Sequence, residues 1–153
     1  MSLLVLLDQG LKASMIQWLG PDATVHRWEL AGPYLAFQYV ENRGAAFGML
    51  EGRTTLLIVL AIAVTIGFVV VIRRDIASDR LLQLALSLIT AGAIGNLADR
   101  IRLGYVVDFI AIGTWPKFNL ADSCITVAVV LLAWTSFIST PTSTSETRHP
   151  EHD

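Results

Sequence analysis

Residues 95–110 read Gly95-Asn96-Leu97-Ala98-Asp99-Arg100-Ile101-Arg102-Leu103-Gly104-Tyr105-Val106-Val107-Asp108-Phe109-Ile110, and they carry two acids, an amide and two arginines straight out of an apolar run. A lone carboxylate in hydrocarbon is costly or takes up a proton, so an acid at that depth is a functional candidate whose partner has to be found. The expected partner of Asp108 is Asp122. It stands in Phe118-Asn119-Leu120-Ala121-Asp122-Ser123, at the mouth of the next long apolar run.

Working outward, composition frames the reading. The 153 residues are 54% hydrophobic and 16% charged, with a mean hydropathy of +0.58. That is enough chain for one compact domain but too apolar for an ordinary water-soluble one, and an all-α integral membrane protein is expected. The net charge of −2, with cations scattered along the chain, gives no basic surface for nucleic acid. A single cysteine, Cys124, excludes an intrachain disulfide and a multi-cysteine metal site.

Four apolar helices are predicted, at about 3–19, 54–72, 81–98 and 119–138, in a single membrane-embedded domain spanning 1–138. The first carries Asp8 and Lys12 at i, i+4, an acid and a base able to meet on one face. They either neutralise each other or help to position a site. The segment has neither a basic leader nor a small-residue cleavage site, so an anchor is expected rather than a removable signal. Residues 20–53 read as a loop outside the membrane that contains His26, a solvated position. Within it, the aromatic and β-branched run 35–40 suggests a strand or hairpin on the membrane surface. Asn42-Arg43-Gly44-Ala45-Ala46-Phe47-Gly48 follows, in which polar donors and glycines let backbone approach a helix or an extended ligand.

Residues 73–80 form a short charged stretch with three arginines, the best cytoplasmic loop candidate. In the third helix Ser87, Ala91 and Gly95 make a small-residue stripe for close helix packing, which Asp99 continues. Asn96 and Arg100 share another face at the same spacing. An Asp99–Arg100 ion pair at the membrane exit is the plainer alternative. Gly104 is expected to break the helix, and the apolar neighbours of Asp108 should desolvate it and raise its pKa. Asn119 and Asp122 have capping-box spacing, so simple capping competes with a chemical role. Residues 139–153 read as a disordered polar tail.

What is missing narrows the chemistry. No His-Glu-x-x-His motif is present for zinc, no histidine lies near Ser123 or Cys124, and no phosphate-cradling lysine loop appears. Neither a metal nor a cofactor is expected. Two carboxylates at a membrane surface remain, able to share one proton as aspartic proteases do. A small non-catalytic transporter or proton relay would use the same acids.

Five boxes, Asp8-Gln9-x-x-Lys12, Asn42 to Gly48, Gly95-Asn96-x-x-Asp99-Arg100, Val106-Val107-Asp108-Phe109 and Phe118-Asn119-x-Ala121-Asp122, together resemble the bacterial lipoprotein signal peptidases. The resemblance implies four transmembrane helices with a small extracytoplasmic β-cradle, both termini cytoplasmic, in the bacterial inner membrane. It implies a monomer that cleaves prolipoproteins before a diacylglyceryl-modified cysteine, in contact with membrane lipids. Asp108 and Asp122 match the catalytic pair. Asp8, Lys12, Asn42, Arg43, Gly44, Asn96, Asp99, Arg100 and Asn119 match supporting or substrate-binding positions, and the stretch 35–48 is expected to cover the scissile bond.

Overall fold

A computed structural model describes residues 1–44, 53–75 and 80–138. The expected tail at 139–153, the small residues 45–48 and the middle of the charged loop, 76–79, lie outside the described residues. Four helices, α1 (Ser2–Leu19), α2 (Thr54–Asp75), α3 (Arg80–Leu103) and α4 (Leu120–Ile138), accompany three strands, β1 (Arg27–Ala31), β2 (Leu35–Asn42) and β3 (Val106–Ile112). The strands form one antiparallel sheet in the order β1-β2-β3.

The helix boundaries move from the expected ones for local reasons. The third helix was placed at 81–98 but runs to Leu103, because Gly104 is the first residue able to leave it: at φ 83° its N–H returns to the Arg100 carbonyl at 3.1 Å. Asp99 and Arg100 are therefore helical, and successive positions on a helix point apart. The second helix likewise runs past residue 72 through Arg73, Arg74 and Asp75, which shortens the expected charged loop. The fourth begins one residue later than expected, because Asn119 is its cap: Asn119 Oδ1 accepts the Asp122 N–H at 2.9 Å, and Asp122 Oδ2 accepts the Asn119 N–H at 3.2 Å.

Residues 27–31, expected as loop, form the edge strand β1, where Trp28 pairs opposite Phe37. Consequently 35–42 is the central strand of the sheet rather than the start of a covering loop. His26 lies exposed just before β1, as expected. The sheet docks on the end of α1 through Met15, Leu19 and Phe109, with Phe37, Tyr39 and Ile110 packed around them. A second cluster, Ala85, Ile89 and Ala128 with Phe68, Leu88, Leu131 and Leu132, joins α2 and α4 to α3.

Buried charge beneath an apolar exterior sets the molecule apart from a water-soluble protein. Asp8, Lys12, Asp99, Asp108 and Asn119 are each 2% exposed or less, while Leu6 of α1, Ile66 of α2 and Val130 of α4 are 57–70% exposed. Such an arrangement suits lipid as the solvent. Among the described residues, α3 alone is long and apolar enough by itself to cross a membrane. Shorter apolar stretches occupy Thr54–Phe68 and Leu120–Thr135.

Close approach of α3 and α4 depends on a glycine outside the expected stripe. A Cβ at Gly92 would run into the Ala121 carbonyl and lie 2.7 Å from Ile125 Cγ1, whereas one at Gly95 would lie 2.6 Å from Asp8 Oδ2. Since backbone cannot yield as a side-chain tip can, Gly92→Ala is expected to push α4 off α3 and cost about 1–3 kcal/mol. Thermal melting in detergent checks this, and an unchanged melting temperature would contradict the close packing.

Candidate active site

Local pairing brings Asp108 and Asp122 to one place. Beyond β3 the chain turns back so that the Phe118 carbonyl accepts the N–H groups of Phe109 and Ile110 at 3.1 and 2.9 Å, while the Phe118 N–H reaches the Ile110 carbonyl at 3.2 Å. The next residue, Asn119, thus arrives beside Asp108, one turn before Asp122. On the other side, Val40 of β2 is registered opposite Asp108. Asn42, two residues on, projects from the same face and reaches Asp108 diagonally.

Every carboxylate oxygen of the two acids accepts a hydrogen bond. Asp108 Oδ1 takes one from Asn119 Nδ2 at 2.8 Å and Oδ2 one from Asn42 Nδ2 at 2.9 Å. Asp122 Oδ1 takes one from Asn96 Nδ2 at 2.7 Å, and its Oδ2 is held by the Asn119 backbone. Asn119 therefore serves both acids, through its side chain and through its own N–H. Capping and site-building, posed as alternatives from spacing, are the same geometry.

Behind Asn96 lies a buried ion cluster. Lys12 Nζ stands 2.8 Å from Asp8 Oδ2, 2.8 Å from Asp99 Oδ2 and 3.0 Å from Asn96 Oδ1, which uses all three ammonium protons. Asp8 Oδ1 accepts the Ala121 N–H at 3.0 Å, and Asp99 Oδ2 accepts that of Val107 at 3.2 Å. The Asp8–Lys12 pair is thus both self-neutralising and tied to the site. Asp99 and Arg100 form no pair with each other: Asp99 faces Lys12, while Arg100 Nη2 donates to the Gly44 carbonyl at 3.0 Å. The shared face expected for Asn96 and Arg100 is present, and both line the same cleft.

That cleft encloses about 990 Å³ and is lined by Asn42, Arg43, Gly44, Asn96, Arg100, Asp108 and Asp122, a volume typical of ligand sites at about 300–1,000 Å³. Ser123, Ile125, Thr126 and Val127 of α4 and Trp115, Pro116, Lys117 and Phe118 of the preceding turn also line it. Glu41 and Arg43 of the lining belong to a closed ring of side chains. Arg43 Nη2 meets Glu41 Oε2 at 2.6 Å and its guanidinium lies 5.1 Å over the Tyr105 ring. The Tyr39 hydroxyl is 2.9 Å from that of Tyr105 and 3.3 Å from Glu41 Oε1. Burial, then Tyr105 and Glu41, raise the Tyr39 pKa and keep that hydroxyl protonated.

Sequence reasoning missed Gln9, Tyr39, Glu41, Tyr105, Trp115 and Lys117. Gln9 stood in the Asp8-Gln9-x-x-Lys12 box but was given no role of its own. Loop and rim residues follow no periodicity. Among the described residues no group of three or more His, Cys, Asp or Glu side chains is placed to hold a metal ion.

Comparison with known proteins places the chain among relatives. The family profile described as signal peptidase (SPase) II matches residues 1–138. The lipoprotein signal peptidase of Caldanaerobacter subterraneus is 42% identical over 132 residues, covering 85% of this chain and 88% of the relative. That of Halothermothrix orenii is 38% identical over 130 residues, covering 85% and 87%. A bacterial membrane enzyme solved by the in meso method at 2.3 Å superposes with a TM-score of 0.82 at 30% identity, over 98% of this chain and 91% of that one.

Burial first, and then the charge of Asp122, push the Asp108 pKa up from 3.8 to about 7 against the hydrogen bonds from Asn42 and Asn119 and the charge of Lys12. A pKa raised by folding means the native state binds the proton more tightly, so this contribution to stability is present at low pH and lost as pH rises toward 7. Removing the ionisable group removes that slope. The melting temperature of Asp108→Asn relative to the wild type should therefore climb between pH 4 and pH 8, and a difference that is flat or falls with pH would refute the shift.

Proposed function

Since the chain belongs to the signal peptidase II family, we propose that it is a membrane-embedded aspartic endopeptidase. It removes signal peptides from prolipoproteins by cutting before a diacylglyceryl-modified cysteine. The supporting observation is the pair Asp108 and Asp122 in one cleft, each held on both oxygens and bridged by Asn119. All four helices span the bacterial inner membrane, both termini face the cytoplasm, and the sheet and cleft lie at the extracytoplasmic side. The chain works as a monomer in contact with lipid, without cofactor or metal, in the single domain 1–138.

In this reading the acids enter the cycle with one proton between them. The ionised carboxylate takes a proton from water as the water oxygen attacks the scissile carbonyl carbon. The protonated carboxyl gives its proton to the carbonyl oxygen, leaving a neutral gem-diol. Collapse of the diol breaks the C–N bond, a proton passes to the departing nitrogen, and the pair again holds one proton. Asn42, Asn96 and Asn119 fix the carboxylate planes, so little reorganisation accompanies the charge movement. Asp8, Lys12 and Asp99 support Asn96, while Arg100 and Gly44 hold the end of β2 above the cleft.

The proton-relay alternative draws less support. A relay needs acids that exchange protons along a path, whereas Asp8 and Asp99 are engaged with one lysine, and the cleft opens at Asp108 and Asp122. Incubating purified protein with a diacylglyceryl prolipoprotein, read by gel shift, tests the assignment. Asp108→Asn and Asp122→Asn should each abolish cleavage while the protein stays folded in the membrane. Near-normal turnover by either variant would remove that residue from the mechanism.

Arg43 is assigned to substrate. With one N–H group committed to Glu41 it keeps further donors over the cleft, where they hold the peptide extended beside the acids. Arg43→Ala is expected to lower kcat/KM on lipidated substrate by about tenfold, or ~1.4 kcal/mol, with little change in melting temperature. Kinetics and melting in the same detergent decide it: unchanged kinetics, or a stability loss as large as the activity loss, would reduce Arg43 to a rim anchor.

A further inference from the structure

Gln9 makes more polar contacts across the α1–α3 junction than its half-buried position requires. Its Nε2 donates to Asp99 Oδ1 at 2.9 Å and to the Gly95 carbonyl at 3.2 Å, and lies 3.3 Å from Asp8 Oδ2. Its Oε1 accepts from Nη1 of the exposed Arg102 at 2.9 Å. Only one orientation of the amide serves these partners, since Asp99 and Gly95 offer acceptors and Arg102 offers a donor. Positions 95, 99 and 102 share a face of α3 at i, i+4, i+7, so Gln9 is bound along that face over two turns.

The buried face of α1 is divided. Its buried residues are Asp8, Lys12, Met15 and Leu19, apolar at the sheet end and polar at the other. Helices in lipid gain little from burying apolar surface against each other, so hydrogen bonds and close packing set how α1 is rolled at its polar end. That roll decides whether Lys12 reaches Asn96, and Asn96 holds Asp122.

We propose that Gln9 is a positioning residue of the active site, acting through Asp99 and Asp8 on the line from Lys12 to Asn96 to Asp122, with Arg102 locking the amide in its working orientation. This rests on Asp108 and Asp122 being the reacting pair. Gln9 touches neither substrate nor the reacting atoms. Its loss lets Asp99 and Lys12 shift together, so the acids lose alignment while the cleft that binds substrate keeps its shape.

The test uses the full chain in detergent with a diacylglyceryl prolipoprotein and three substitutions. Gln9→Glu keeps the size of the side chain and an acceptor for Arg102 but removes both N–H donors, and Gln9→Leu removes all polar function. Both are expected to lower kcat about tenfold with KM within about twofold, the pattern of lost alignment rather than lost binding. Arg102→Ala, at an exposed position that folding tolerates, should lower kcat about threefold, and Gln9→Leu/Arg102→Ala should be no slower than Gln9→Leu alone, because both act on one line. Wild-type turnover in Gln9→Glu, a loss confined to KM, or a double variant whose loss is the product of the singles would each overturn the proposal. A wild-type chain that cleaves no lipidated substrate overturns instead the reading on which it rests.

Discussion

The ammonium of Lys12, buried with its three protons on Asp8, Asp99 and Asn96, is the constraint on which the rest of the site depends. A buried charge is tolerable only when paired and hydrogen-bonded, and removing one partner of such a group leaves an uncompensated ion in a poor solvent. Each of its acceptors is in turn fixed elsewhere: Asp8 to the first turn of α4, Asp99 to the start of β3, Asn96 to Asp122. One side chain of α1 thus sets the spacing between the third helix, the sheet and the fourth helix. Buried ion clusters are often no more stabilising than an apolar core of equal size; what this one does is tie α1, α3, β3 and α4 to one arrangement.

The acids themselves sit on elements of different kinds, Asp108 on a strand and Asp122 in the first turn of a helix. A strand holds a side chain through its ladder partners, and here the diagonal neighbour Asn42 supplies the hydrogen bond. A helix N-terminus offers free N–H groups and the positive end of its dipole, which favour a carboxylate there. Asn119 joins these two supports. As an N-cap it would be replaceable by Ser, Thr or Asp. As a bridge to Asp108 it needs an N–H donor at the end of a side chain of that length, which those residues lack.

Much of this was legible in the sequence because charge in an apolar chain is conspicuous. Asp8, Lys12, Asn96, Asp99, Asp108, Asn119 and Asp122 stood out against their neighbours, and the structure brings them together. Helix ends were less legible: the polar stretch 99–103 falls outside the expected helix, although Gly104, expected to break it, does so at a positive φ and the helix runs up to it. Gly92 escaped notice because the stripe of Ser87, Ala91 and Gly95 has a regular spacing to which it does not belong. Its contact is with a backbone carbonyl of another helix, which one-dimensional spacing does not encode. The rim ring was invisible for a similar reason, since Tyr39 and Glu41 belong to β2 and Arg43 follows its end, while Tyr105 arrives from far along the chain. Spacing left the paired interpretations of Asn119 and of Asp8 with Lys12 open because one geometry accommodates both: the cap also contacts both acids, and the ion pair also contacts Asn96.

The hydrogen bond from the Ala121 N–H to Asp8 joins residues 113 apart in sequence, from α1 to α4. The α4 segment must therefore leave the ribosome before this contact can form. Asn119, which bridges the two acids, and Asp122 itself belong to that segment. A nascent chain with only its first three helices in place has one aspartate of the pair and no cap to aim it. In the proposed reading, hydrolytic capacity is absent until α4 docks and brings Asp122 and Asn119 to Asp108.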